Sequence, residues 1–504
     1  AYLKRFKKIR KGGIGKFTSL YLGGINMKKL AFSSLILFLL FSIIVTPTLL
    51  AQDKITMWVR TPETLDILKD SAQKFMEQNP EKEIEIVEFS ADAYPGALQA
   101  AISGNNLPDV FHTHNSVPLS RLHSLEKIQP IESYFTNGFL NQFEPATWWE
   151  GSTTINDVIY AWPDRSFRRA SLFMYYNKDI MKEAGLDPEN PPTTWDEFIE
   201  QGKQVSEWGD KEIYGLHLGF TSGWFNERII LQLATTVSDD TGVPAEHLPG
   251  RMVNWRTGDM FDHEEIIPVI EFFEELEENN VIHPNYFSTQ RSQAAAQWAA
   301  GQSAFLFDGS WRLSEILKKY TDMNFGITML PAKQGDTAYW GVAGGSQNAF
   351  VVSKSSENVE LAVEFFEYLT ENYYPLLLEN AIDLSPVPEI NNNEDNYVYP
   401  EFKKLVDLTY QGTKVLPSPV KANPDELTTV TILSGLNSRR PFGPTIQGYL
   451  SGENMDIEKY LADYAVEQNE FLMEALEEAT EEGADVSKEN WIFEDWDKTE
   501  DYEQ

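Results

Sequence analysis

Cysteine is missing altogether from the 504 residues, which excludes disulfides, thiolate metal sites and lipid attachment through a cysteine. Basic residues are scarce: 41 Lys and Arg face 77 Asp and Glu, for a formal charge of −36. Nine of those bases and none of the acids lie in residues 1–51, so the remainder holds 32 bases against 77 acids and carries −45. Such a chain repels a phosphate backbone, and it has no basic cluster to offset the repulsion, so nucleic acid is not expected as a partner. The acidity suits solubility, with self-repulsion screened in a salty medium. Motifs of catalysis and metal binding are also missing. His112 and His114 stand two apart, as a strand could present them on one face, but there is no His-Glu-x-x-His. Asn391 to Asn396 is rich in oxygen yet lacks the spacing of a calcium loop. No Gly-x-Ser-x-Gly nucleophile elbow occurs. Gly12 to Ser19 is not a phosphate loop, because Arg10 stands where its first glycine belongs and Phe17 where Ser or Thr is needed. Carboxylate pairs are unavoidable among 77 acids, so counting leaves a glycosidase dyad open.

What is present begins with an export signal. Met27-Lys28-Lys29 is followed by an apolar run from Leu30 to Val45 and by Thr48 to Ala51, which ends in a small residue suited to cleavage before Gln52. The run is short for a membrane anchor, which needs about 20 apolar residues. Residues 27–51 are therefore expected to be a signal peptide. The mature protein is expected to be soluble, periplasmic or extracellular, and not a lipoprotein. Leu22 to Asn26 can be encoded by a purine-rich ribosome-binding tract just ahead of Met27, so residues 1–26 are expected to be an untranslated leader.

About 450 residues remain, enough for two domains. Ile55 to Val59 reads as a strand, Leu65 to Gln78 as an amphipathic helix, Ile84 to Phe89 as a strand and Ala93 to Ser103 as a helix, with a third strand starting at Val110. This βαβαβ order predicts a mostly parallel sheet covered by helices, with ligands at the carboxyl ends of the strands. Arg60 and the run His112 to Asn115 follow the first and third strands. Further strands are expected over Ser171–Asn177, Ala304–Phe307 and Ala349–Val352. Thr194 with Glu197 three residues later predicts a capping box.

Tyr175 to Glu200, YYNKDIMKEAGLDPENPPTTWDEFIE, joins a strand, a helix, a Pro-rich turn and a second helix start. This phrase resembles that of the extracellular solute-binding proteins of family 1, the sugar-capturing subunits of bacterial ATP-binding cassette (ABC) importers. Gly104 to Val110, the Asp308-Gly309-Ser310-Trp311 phrase, and Trp340 to Gly345 ahead of the strand from Ala349 follow the same order. The resemblance implies an α/β fold of two lobes, the periplasmic-binding-protein fold of type II, hinged by two or three chain crossings. By analogy one lobe takes residues 53–169 and 341–395, and the other takes 170–340 and 396–480. An acidic tail, 481–504, carries Trp491 and Trp496, which are expected to pin it to a lobe surface; a fully disordered tail is the alternative. The resemblance also implies a carbohydrate ligand, membrane permease partners, a monomer, no cofactor and no enzymatic activity. A secreted carbohydrate-active enzyme and a ligand-binding adaptor for a membrane sensor are the alternatives.

A pyranose needs flat rings against its C–H faces and planar polar groups for its hydroxyls. Trp311 and Trp224 are candidate platforms, at places where the family offers aromatics, and each is otherwise a core residue. Asp308 either accepts from a sugar hydroxyl or caps the helix after it. Trp340, Gly344 and Gly345 fall where the chain returns to the first lobe, as ligand contacts or as a hinge turn. Arg60, His114 and Asn115 follow strand ends. Arg165, with Arg168 and Arg169, either holds an acidic sugar or neutralises carboxylates near the hinge.

Overall fold

Alternating apolar residues build the first sheet of the computed structural model. The described residues are 53–503, apart from 91–92, 115, 170, 211, 246–247, 249–250, 334–336, 347 and 437–440. The expected leader, the signal peptide and Asn115 lie outside them. Strand β1 (Asp53–Val59), helix α1 (Pro62–Gln78), β2 (Lys82–Glu88), α2 (Tyr94–Gly104) and β3 (Val110–His112) form the βαβαβ unit. β1 pairs parallel with both β2 and β3. Its Ile55, Met57 and Val59 point to one face, where they are fully buried with Leu65, Leu68 and Phe75 of α1. Each such side chain contributes roughly 1.5–3 kcal/mol of burial.

After β4 (Ile128–Gln129) and β5 (Ala161–Pro163) the chain crosses into a second sheet through β6 (Leu172–Asn177), all six residues of which are buried. Asn177 caps α3 (Lys178–Glu183), accepting at 3.0 Å from the Asp179 and Ile180 amides, and Gly185 closes the helix at φ +82°. The capping box at α4 (Trp195–Trp208) is present: the Glu197 amide donates to Thr194 Oγ1 at 3.2 Å, and the Thr194 amide donates to Glu197 Oε2 at 3.2 Å. β7 (Tyr214–His217), α5 (Gly223–Ala234), β8 (Ser303–Gly309), α6 (Trp311–Lys319) and β9 (Phe325–Met329) complete this lobe, with sheet order β9-β6-β8-β7. β10 (Trp340–Val342) precedes β11 (Ala349–Ser353), which returns to the first sheet, in the order β2-β1-β3-β11-β4, with β5 also on β11. Helix α7 (Val359–Asn372) packs on β1 and α1, and α8 (Pro400–Gly412) packs on β9. The crossings are therefore 164–171, 343–348 and roughly 380–399.

The two lobes are α/β as expected, and each sheet holds one reversed strand. β11 runs antiparallel to β3, β4 and β5, and β6 runs antiparallel to β8 and β9. Each of these is the strand that arrives by a crossing. Entering from the other lobe, it meets its sheet from the opposite end.

The carboxyl end is well packed. After α9 (Ile457–Glu481), Trp491 and Trp496 are 0% and 3% exposed, and Trp491 lies 6.0 Å from Trp255 with the rings nearly parallel. The tail then reaches β12 (Thr413–Val415), where Asp501 accepts from the Val415 amide at 2.8 Å.

Candidate ligand-binding site

The first crossing carries three arginines in five residues, and their surroundings differ. Arg165 is 2% exposed, and its guanidinium meets Asp164 at 3.1 Å, Glu63 at 3.1 Å and Asp383 at 3.2 Å. Burial alone would press this guanidinium down, but the carboxylates of Asp164 and Asp383 more than reverse that and keep it charged. Arg168 is equally buried, held by Glu144 on one side and Asp501 of the tail on the other, and donates to the Thr413 carbonyl at 3.0 Å. These two act as the sequence allowed, neutralising carboxylates at the hinge. Arg169 is half-buried, and no carboxylate lies within ion-pair distance of it among the described residues.

Arg169 borders two cavities that open between the lobes. One, of about 210 Å³, is lined by Trp149, Ser152, Phe167, Gly344 and Gly345, with Pro417 to Val420 opposite. The other, of about 400 Å³, is lined by Glu63 and Asp383 on one side and by Arg228, Trp311 and Lys318 on the other, with Arg165 and Arg169 at the crossing. Together they fall within the roughly 300–1,000 Å³ typical of ligand sites. A larger recess of about 610 Å³ lies between Asp259–His263 and α9, away from the crossings. Lobe geometry rather than size therefore singles out the pair at Arg169.

The second lobe presents a wall in which aromatic rings alternate with guanidinium groups. Trp224 and Trp311 lie 5.9 Å apart. Arg291 stands 5.0 Å from the centre of each ring, and Arg228 stands 5.6 Å from Trp224 and 4.3 Å from Trp340. Trp224 is 53% exposed, an unusual waste of a large ring unless something covers it. Helix periodicity makes part of this wall: Arg228 follows Trp224 by one turn on α5. Trp311 is set by its Nε1, which donates to Asp308 at 3.0 Å, and by Gly309, where an added Cβ would lie 2.2 Å from the indole.

The other candidates differ in burial and in their partners. Asp308 is fully buried, and its oxygens accept from Arg312 at 2.7 Å, Trp311 and the Gly309 amide, with Arg291 at 3.5 Å. Burial pushes its carboxyl up, against the pull of Arg312 and Arg291. Trp340 is 5% exposed. Gly344 and Gly345 line the first cavity; a Cβ on Gly344 would meet the Ala146 carbonyl at 2.1 Å, and Gly345 has φ +85°. Arg60 reaches Asn348 in the second crossing, and its amide donates to His112 Nδ1 at 3.3 Å. His112 is fully buried and stacked 3.8 Å from Phe350; burial and the charges of Arg60 and Arg165 hold it well below the ordinary histidine range. His114 lies near Ser116, at 2.8 Å, and borders neither cavity.

Sequence reasoning missed Trp149, Arg228, Arg291 and Lys318. Arg228 and Lys318 follow the singled-out Trp224 and Trp311 by four and seven residues, so helical spacing would have found them. Arg291 is brought in from another segment by tertiary packing, with no local signal. Among the described residues there is no group of three His, Asp or Glu able to hold a metal ion, and no helix long and apolar enough to cross a membrane.

A family model described as bacterial extracellular solute-binding protein matches residues 61–373. Among curated proteins, the chain is 24% identical over 356 residues to the sn-glycerol-3-phosphate-binding periplasmic protein UgpB of Agrobacterium fabrum, covering 69% of this chain and 77% of that one. To the UgpB of Escherichia coli K12 it is 23% identical over 309 residues, 60% of this chain and 66% of that one. Among solved structures, it resembles the cyclic alpha-maltosyl-1,6-maltose binding protein of Arthrobacter globiformis, with 17% identity, a TM-score of 0.59 and coverage of 84% and 99%. It also resembles the sugar-binding protein MalE of Xanthomonas citri, with 16% identity, a TM-score of 0.58 and coverage of 85% and 99%.

Proposed function

The chain belongs to the bacterial extracellular solute-binding protein family, and from that premise we propose that it captures a carbohydrate, of oligosaccharide length, between its lobes and hands it to the permease of an ABC importer. The observation that carries this reading is the pair of cavities that meet at Arg169 on the first crossing, with Trp149 in one and Trp311 in the other. A ligand touching both walls favours the closed form by its differential contacts, and the permease then distinguishes closed from open. The lobes are taken as 53–169 with 341–395 and 170–340 with 396–480, followed by the tail. The protein acts as an exported, non-lipidated monomer with no catalytic step and no cofactor. Trp224, Trp311, Gly344 and Gly345 touch ligand. Arg165, Asp308 and Trp340 support the walls, Arg60 and His114 bind ligand from the ends of the first and third strands, and Asn115, outside the described residues, belongs to the same set by its place in the sequence.

UgpB relatives are named for sn-glycerol 3-phosphate and the structural neighbours for maltosides, so both ligand classes belong in the test. A ligand that binds only the folded state adds about 2.7 kcal/mol of stability at a hundredfold excess over Kd. Purified protein should melt several degrees higher with an oligosaccharide, and Trp311→Ala should abolish that rise. A rise only with glycerol 3-phosphate, or with no solute at all, would overturn the carbohydrate reading.

A further inference from the structure

We infer that the carbohydrate is anionic: a saccharide carrying a ring carboxylate or a sulfate ester, with the charge seated at Arg169 between the two cavities and the ring against Trp311. This deepens the carbohydrate reading and rests on it. The larger cavity is lined by four cations, Arg165, Arg169, Arg228 and Lys318, and by only two acids, Glu63 and Asp383. Both acids are engaged by one cation, Arg165, which has the buried Asp164 as its third carboxylate. Beyond that network the lining holds Arg228 and also Arg169 and Lys318, neither of which has a carboxylate in ion-pair range among the described residues, in a chain that outside residues 1–51 has 77 acids to 32 bases. Random placement of charge would put acids there.

Two further observations agree. Arg291, beside Trp311, has among the described residues only Asp308 in ion-pair range, at 3.5 Å, and that carboxylate is already shared with Arg312 at 2.7 Å. Burial presses the Arg291 guanidinium down, as expected where counter-charge is short. The guanidinium groups are also presented on aromatic faces, Arg228 on Trp340 and Arg291 on Trp224 and Trp311. Stacking of this kind holds a guanidinium in one plane. A neutral glucan would have to cover Arg169 and Lys318 without offering either a counter-charge.

The test is a calorimetric titration of the purified protein with matched pairs: trimers of galacturonate, mannuronate and glucuronate against their neutral parent or methyl-esterified trimers, a sulfated trimer against its desulfated form, and glycerol 3-phosphate with inorganic phosphate. The inference expects at least one charged trimer to bind about tenfold or more tightly than its neutral partner. Arg169→Gln should remove that preference, and Arg169→Lys should keep part of it, both with unchanged melting without ligand. The uronate and sulfate arms tell the two charge carriers apart. Neutral trimers binding as well as charged ones, or a charge preference that survives Arg169→Gln, would overturn the inference and leave the carbohydrate reading standing. Binding of glycerol 3-phosphate or phosphate alone, or no binding in any arm, would overturn both.

Discussion

Arg165 and Arg169 stand four residues apart on the same crossing, yet one is enclosed by three carboxylates and the other faces an open cavity with none in ion-pair range among the described residues. The same side chain therefore does two kinds of work in one hinge. Arg165 draws together the start of α1, the first crossing and the third, through Glu63, Asp164 and Asp383. Position in the lattice of charges, not residue type, decides whether an arginine holds the fold or awaits a ligand. The same division runs within the second lobe's wall: Asp308 is closed off beneath Trp311, whereas Trp224 beside it is open to solvent.

The comparison breaks most sharply at Arg165. Arg165→Met leaves Asp164 buried without its cation, and losing one partner of a buried pair costs about 3–5 kcal/mol. Urea unfolding should show that loss for Arg165→Met and less than about 1 kcal/mol for Arg169→Met, which acts on the buried Asp164 only from beyond ion-pair distance. Ligand response should reverse the order, with Arg169→Met folded but unresponsive. Equal stability losses would show that the two arginines are alike.

Acid sharpens the contrast from another direction. His112 lies beneath Arg60 and Arg165, is fully buried and is held well below the ordinary range, first by burial and then by those two charges. The unfolded chain takes up a proton near pH 6.5 and the folded state refuses it, so stability present above that pH is lost as pH falls below it. One such site removes about 2 kcal/mol by pH 5. His217, buried in the second lobe and lowered to about 4 by burial and by His283, adds its own loss between pH 6.5 and 4. His112→Phe, which keeps a ring against Phe350, should flatten part of the decline measured by chemical unfolding from pH 7 to 5. A parallel curve for the variant would remove His112 from this account.

Much of the fold was legible because its signals are local. Alternation in Ile55–Val59, the cap at Thr194 and the glycine stop at Gly185 each act within a few residues, and the structure has each of them. The reversed strands β6 and β11 were not legible, since strand direction in a sheet depends on how the chain crosses between lobes. In the site, Trp311 and Trp224 announced themselves as large rings at strand and loop ends. Whether Asp308 faced a ligand or the interior depended on Arg312 one turn later and on Arg291 from another segment, and only packing settles such a choice. The arginines show the same limit: their clustering was visible, and their partners, Glu63, Asp383, Glu144 and Asp501, lie far away in sequence.

The smallest expected effect concerns the tail. Arg168 is gripped by Glu144 from the first lobe's side and by Asp501 from the last residues of the chain, and Asp501 also accepts from the Val415 amide at 2.8 Å. Because Asp501 is 41% exposed, its pairing is partly screened and its loss should cost only about 1 kcal/mol. Its place matters more than its strength, since it joins the tail to the crossing about which the lobes hinge. Asp501→Ala should lower the melting temperature slightly yet change the lobe opening seen by small-angle scattering without ligand, because Arg168 then keeps Glu144 and the Thr413 carbonyl but loses its tie to the tail. Asp495→Ala makes a matched control: among the described residues its side chain accepts a hydrogen bond only from Tyr502, at 2.9 Å, and its loss should leave the opening unchanged. If both variants scatter alike, the tail is an anchor for the second lobe and has no hold on the hinge.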